Sequence, residues 1–137
     1  MRVVDGDTIV AAVGGTEERV RLIGIDTPES VDPRQPVECF GKAASARLAE
    51  LLPAGTALRL ERDAEERDRY GRLLAYAHRL PDDLFVNLAM VRDGYANTLT
   101  IAPNVAHVDD FRSAEAEARS EGRGLWSACP EARPSGG

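Results

Sequence analysis

Apolar and polar positions alternate through the first stretch of the chain and then switch to a helical spacing. Val3-Val4 and Thr8-Ile9-Val10 flank an Asp-Gly-Asp turn and read as extended. Gly14-Gly15 marks a hairpin turn. Arg19 to Ile25, which alternates and then turns apolar, is the returning strand. Asp26-Thr27-Pro28 ends it, because the residue before proline is pushed away from helix and proline cannot join a central ladder. Ser30 to Glu38, with two prolines among polar residues, reads as a loop.

From Phe40 the spacing of Phe40, Ala44, Leu48, Leu51 and Leu52 predicts a helix that Pro53 and Gly55 stop. Leu58 to Leu60 and Leu73 to Ala77 predict two strands, separated by the highly charged run Asp63 to Arg72. Leu84 to Arg92 is a short amphipathic helix with Gly94 as its C-terminal cap. Thr98 to Ala106 is irregular, with Pro103-Asn104 as a turn. Asp109 to Glu121 is a polar helix with a thin stripe at Phe111, Ala114 and Ala118, after which Leu125-Trp126 packs back on the core. The tail from Pro130 is small, polar and rich in proline and glycine, so residues 130–137 are expected to be flexible and 1–129 to form the domain. The order predicts a small α+β domain with a five-stranded, partly open barrel.

Size agrees: 137 residues suffice for one core. No stretch is long and apolar enough to cross a bilayer, and there is no charged-then-apolar signal segment. Net charge changes the picture more. At −6 the chain lacks the diffuse positive charge that holds nucleic acid. Either binding is local, through a cation and a few arginines, or the partner is no polyanion. The basic residues are sixteen Arg and one Lys, Lys42, which genomic base composition explains; any cation facing a phosphate is then a bidentate fork. Cys39 and Cys129 have no companions for a metal site; they are free thiols in a cytosolic protein or a pair in a secreted one.

Three short runs concentrate the remaining chemistry: Asp5-Gly6-Asp7-Thr8, Arg21 with Asp26-Thr27-Pro28-Glu29, and Asp68-Arg69-Tyr70-Gly71-Arg72. Asp7 and Asp26 end two strands predicted to pair, so both carboxylates could face one point and offer hard oxygens to a divalent cation. Taken alone, Asp-Gly-Asp is more often a plain turn. Glu29 could take a proton from water near the metal, or simply sit at a helix start. Arg21 and Arg72 match a phosphate clamp. Alternatively, Arg21 is an exposed strand residue and Arg72 pairs with Asp63, Glu65 or Glu66. Tyr70 could meet a phosphate or a base, or pack at a rim; Asp5 could orient the metal site, or only shape its turn. His78 reads as a strand residue and His107 as a helix-start or surface residue, neither of them catalytic.

The combination resembles the staphylococcal nuclease-like (thermonuclease) family. Val4 to Thr8, Val20 to Glu29, Asp68 to Tyr76, Asn87 to Gly94 and Gly124 to Ser127 each look like a family motif, in the family order, across roughly residues 1 to 128. The resemblance implies an OB-fold barrel with three helices. It also implies a calcium-dependent endonuclease that acts on DNA and RNA, preferring single or frayed strands, and leaves 3′-phosphates. On this resemblance Asp7 and Asp26 are the side-chain calcium ligands beside the Thr27 carbonyl, Glu29 the general base, Arg21 and Arg72 the catalytic, phosphate-binding arginines, and Asp5 and Tyr70 secondary positions. It further implies a Cys39–Cys129 disulfide worth about 4–5 kcal/mol in the chain-entropy model. The expected protein is an extracytoplasmic monomer trimmed from a longer precursor.

The chain departs from the family pattern in three ways. Thr98 to Ala102 has no aromatic where well-studied members carry two tyrosines that flank the nucleotide; stacking contributes about 1–3 kcal/mol per base. Ser30 to Glu38 is longer than in those members, and the surface is acidic where theirs is basic. The acidic surface and the missing tyrosines favour the alternative of a nuclease-like binding module, which the intact charged positions oppose; a third, weaker reading is a phosphodiesterase of smaller substrates, because the clamp reads phosphate rather than base.

Overall fold

A computed structural model describes residues 1–27 and 39–129. The predicted loop 30–38, with Glu29, and the expected tail 130–137 lie outside the described residues. The elements are β1 (Arg2–Asp5), β2 (Thr8–Val13), β3 (Thr16–Leu22), β4 (Ile25–Asp26), α1 (Gly41–Leu51), β5 (Leu58–Glu61), β6 (Leu73–Arg79), β7 (Leu84–Phe85), α2 (Val86–Arg92), β8 (Asn97–Thr98), α3 (Val108–Glu121) and α4 (Leu125–Ala128).

Five strands follow the path β1-β2-β3-β6-β5, with β7 added on β6. All neighbours are antiparallel except β3 and β6, which run parallel with Val20 opposite Leu73. Among the described residues β1 and β5 do not pair, so the barrel is partly open, as expected. This is the α+β, five-stranded, partly open arrangement that the sequence pattern predicts, in keeping with the OB fold that the resemblance implies.

The core joins the inner residues of the strands, Ile9, Val20, Leu22 and Ala75, to the apolar stripes of the helices, Leu48, Met90 and Phe111. Each stripe follows the spacing that the sequence shows. Asn87 on α2 is a fully buried polar residue among them. Its amide oxygen accepts from Ala77 N at 2.8 Å, and its amide nitrogen donates to the carbonyls of Ile23 at 2.9 Å and Ala75 at 3.2 Å. All of its hydrogen-bonding ends meet backbone, so it fixes α2 against β6 and against the Ile23 turn.

That turn decides where the site lies. The expected strand Arg19–Ile25 breaks at Ile23-Gly24, and Ile25–Asp26 leaves the sheet to pair with β8. Gly24 has φ +87°, and a β-carbon there would overlap the Phe111 ring. Only glycine lets α3 close on the turn. Three smaller differences follow from element length. The expected helix from Leu84 begins at Val86 after a two-residue strand, irregular Thr98–Ala106 opens with β8, and a fourth, one-turn helix carries Leu125 into the core.

Candidate active site

The first cluster forms where the β1–β2 turn meets the end of β4. Asp7 lies in that turn, and its backbone carbonyl accepts from Leu22 N at 2.9 Å, which holds it beside β3. Its carboxylate accepts from the Thr8 hydroxyl at 3.1 Å and from Thr27 N at 3.2 Å. Arg21 lies opposite Thr8 in the β2–β3 ladder. Its Nη2 is 3.5 Å from Asp7 Oδ2 and 4.0 Å from Asp26 Oδ1, while Nη1 donates to the Leu22 carbonyl at 2.7 Å. The two carboxylates converge on one guanidinium, though not by the expected route. Asp26 belongs to β4 and pairs with Asn97 of β8, so it reaches the cluster by leaving the sheet.

Arg21 and Asp7 are only 15% and 13% exposed, whereas Asp26 is 57% exposed. The arginine is thus not the exposed strand residue of the alternative reading. Thr27 packs tightly here: a β-carbon on Gly6 would lie 2.7 Å from Thr27 Oγ1. That hydroxyl oxygen is buried and has no hydrogen-bond partner.

Asp5 lies at the edge of the cluster. It accepts from Gly6 N at 2.8 Å and from the Ser45 hydroxyl of α1 at 3.4 Å, so it shapes its turn and ties the turn to a helix.

The second cluster is the turn from Asp68 to Arg72. Asp68 Oδ1 accepts from Tyr70 N at 2.9 Å and from Arg72 N at 3.0 Å; Oδ2 accepts from Arg72 Nε at 2.6 Å. Burial pushes the Asp68 carboxyl up, but these bonds and the guanidinium charge outweigh it and hold the group below the usual carboxylate range. Arg72 therefore pairs with Asp68 and not with Asp63, Glu65 or Glu66. Because Asp68 takes Nε, the two terminal nitrogens of Arg72 have no acceptor among the described residues. Tyr70 is 69% exposed, and the guanidinium carbons of Arg69 and Arg72 lie 4.9 and 5.5 Å from its ring centre.

One cleft of about 490 Å³ is lined by Arg21 of the first cluster and by Asp68, Tyr70 and Arg72 of the second. Leu74, Leu99 and Ile101 supply apolar wall, so aliphatic side chains stand in the stretch that lacks aromatics.

Among the described residues there is no group of three or more His, Cys, Asp and Glu that could hold a metal. The donors present are still of the right kind. Asp7 and Asp26 give hard carboxylate oxygens beside Thr27, whose buried hydroxyl is unpaired, and calcium accepts such oxygens with water completing its shell. Asp7, Asp26 and Thr27 thus fit a hard divalent cation. Glu29, the expected base, lies outside the described residues.

The pairing of Cys39 and Cys129, which only the resemblance implied, is present as a disulfide with Cα atoms 5.9 Å apart. It ties the start of α1 to the end of α4.

Sequence reading missed a third polar group. His78 on β6 and His107 before α3 place their Nε2 atoms 2.9 and 3.0 Å from the two oxygens of Glu61. Only contact across 17 and 46 residues reveals it.

The profile of the family described as staphylococcal nuclease homologue matches residues 19–128. The chain is 42% identical over 125 residues to a thermonuclease of Staphylococcus intermedius, covering 91% of this chain and 73% of the relative. A thermonuclease of Staphylococcus hyicus is 38% identical over 127 residues, with coverage of 93% and 73%. Endonuclease YncB of Bacillus subtilis is 39% identical over 128 residues, covering 92% of this chain and 59% of the relative.

Proposed function

This chain belongs to the staphylococcal nuclease family, and we propose that it is a calcium-dependent endonuclease that hydrolyses DNA and RNA to 3′-phosphate ends. Family membership makes it a nuclease, a phosphodiester hydrolase; the metal, the substrates and the product ends are the parts proposed. The reading rests on one observation: Arg21 lies within 4.0 Å of both Asp7 and Asp26, at the rim of the cleft that Arg72 also lines.

In this reading the terminal nitrogens of Arg72 and the guanidinium of Arg21 grip the phosphate and favour the charge that builds on its oxygens. Asp7, Asp26 and the Thr27 carbonyl would hold the cation. When bound, calcium supplies Lewis-acid polarisation of a phosphoryl oxygen. Glu29 takes the proton of the attacking water, help worth roughly 10²–10⁴ in rate. Tyr70 offers an exposed ring and hydroxyl at the rim, and Asp5 holds the turn that carries Asp7. Local cations of this kind make a net charge of −6 compatible with a polyanionic substrate.

The disulfide favours an oxidising compartment, so a secreted or extracytoplasmic monomer is the setting proposed. No helix among the described residues is long and apolar enough to cross a membrane. The test is digestion of single-stranded DNA and RNA with calcium, and again after chelation with EGTA. The expected result is cleavage that stops on chelation and returns with calcium, with 3′-phosphates on the products. Undiminished cleavage in EGTA overturns the metal assignment, and tight binding without cleavage in calcium favours the binding-module alternative.

A further inference from the structure

Arg67 is not among the residues whose chemistry the motifs suggest, yet it ties the two halves of the cleft together. It stands one residue before the Asp68–Arg72 turn and bridges to Leu73 of β6. Its guanidinium reaches back to β3: Nη2 donates to Glu18 Oε2 at 2.7 Å and Nη1 to Glu18 Oε1 at 3.2 Å. Nη1 also donates to the Gly71 carbonyl at 2.8 Å. Both carboxylate oxygens and a carbonyl inside the turn are thus held by one planar fork. Glu18 lies on the same strand as Arg21, three residues before it. Gly71 is the neighbour of Arg72, in the turn whose other bonds Asp68 supplies.

We infer that Arg67 is a positioning residue. By gripping Glu18 and Gly71 together, it braces the Arg72 turn against the strand that carries Arg21, beyond the point where the β3–β6 ladder pairs Val20 with Leu73. The inference rests on the proposed phosphate clamp of Arg21 and Arg72.

Energy and geometry make separate demands on such a pair. Both side chains are partly exposed, and exposed ion pairs contribute little to stability. A fork that binds both oxygens fixes direction far better than it stabilises the fold. In catalysis, direction matters more, since a displacement of about 1 Å can cost about a hundredfold in rate. A pair of this kind is therefore nearly neutral for folding and consequential for turnover.

The experiment measures kcat and KM on a fluorescent single-stranded DNA oligonucleotide in calcium. The variants are Arg67→Ala, Glu18→Gln and Arg72→Ala, with each of the first two also made in the Arg72→Ala background. Melting curves confirm that every variant is folded at the assay temperature. The expected result is that Arg67→Ala and Glu18→Gln each lower kcat about tenfold, with KM moved less than about twofold. Neither should lower it further once Arg72 is gone, because the two residues act through it. Loss in Arg67→Ala without loss in Glu18→Gln means that Arg67 touches the substrate directly and overturns the positioning role. Equal loss with and without Arg72 overturns it too, as does wild-type kcat in both single variants. If any of these results comes with an Arg72→Ala enzyme slowed by roughly 10²–10³, the clamp stands and only the inference falls. An Arg72→Ala enzyme with unchanged kcat removes the clamp and the inference with it.

Discussion

The cleft and the Glu61 network are built from the same residue types, and the difference between them is what remains for a ligand. In the network every strong polar group meets the protein. Glu61 gives one oxygen to each of His78 and His107. Asp63 Oδ2 accepts from the Tyr76 hydroxyl at 2.6 Å and from Ala106 N at 3.0 Å. Where the network borders the cleft, Asn104 accepts from Glu65 N at 2.9 Å and donates to Glu65 Oε1 at 3.3 Å. Phe85, Tyr76 and Phe111 pack around the imidazoles. The alternation of Glu61, Asp63 and Glu65 fastens residues 104–107 as a strap. At the candidate site, by contrast, only Nε of the Arg72 fork has an acceptor among the described residues, Tyr70 is largely exposed, and the buried Thr27 hydroxyl has no hydrogen-bond partner among them. A satisfied network rigidifies, whereas fork nitrogens without an acceptor keep capacity for a ligand.

The sharpest way to break this comparison is Arg72→Ala. If the cleft alone carries the chemistry, turnover falls by roughly 10²–10³, the cost of losing one donor to the charge of a transition state. The melting temperature should barely move, since the arginine's partner Asp68 also accepts from two backbone amides. Steady-state kinetics with a melting curve checks both halves. An enzyme with unchanged kcat and a lower melting point would make Arg72 structural and erase the contrast.

Much of this was legible in the sequence, for reasons that differ by region. Helices α1 and α3 announced themselves through stripes of three or more residues, and the β2–β3 hairpin through Gly14-Gly15. Strands β7 and β8, at two residues each, and the four-residue α4 are shorter than any window in which a period can be read. The break between β3 and β4 was hidden because Ile23-Gly24-Ile25 continues an apolar run; what bends the chain is Phe111, nearly ninety residues on and packed against Gly24. The candidate-site residues Asp7, Arg21, Asp26 and Arg72 were visible because each sits in a short motif with its turn. Arg67–Glu18 and Glu61–His107 were not, since they join residues 49 and 46 apart in the chain. Chemistry concentrated in turns can be read locally, and its bracing cannot.

Tyr76→Phe probes the network with a smaller effect. The hydroxyl is donated to a carboxylate, and burial together with Asp63 pushes its pKa above the ordinary 10. Its removal should destabilise the fold by about 1.5–3 kcal/mol, the scale of a hydrogen bond to a charged group. Urea unfolding measures that loss, while kcat at a temperature where the variant is folded should match the wild type. A variant of full stability but low turnover would place the network in the catalytic machinery.

The gentlest perturbation is Glu61→Gln, read as pH dependence. Burial pushes the Glu61 carboxyl up, but the hydrogen bonds and charges of His107 and His78 outweigh it, so the folded-state pKa lies below the ordinary 4.5. Asp63 is likewise lowered, with burial opposed by Tyr76 and the amides of Ala106 and Ala64; Asp110 also lies near His107, at 3.8 Å. A carboxyl depressed by folding contributes stability that is complete above its unfolded value and drains away as pH falls through the folded value. Glu61 therefore supports the fold at neutral pH and withdraws that support below about pH 4.5. Glutamine cannot titrate. The variant should be less stable than wild type near neutrality, and the two urea midpoints should converge as pH falls toward about 3. The Asp63 contribution remains in both, so the variant's curve flattens without becoming level. Parallel midpoint curves for variant and wild type across that window would show that the two imidazoles draw no stabilisation from the Glu61 charge, leaving hydrogen bonding alone to hold the strap.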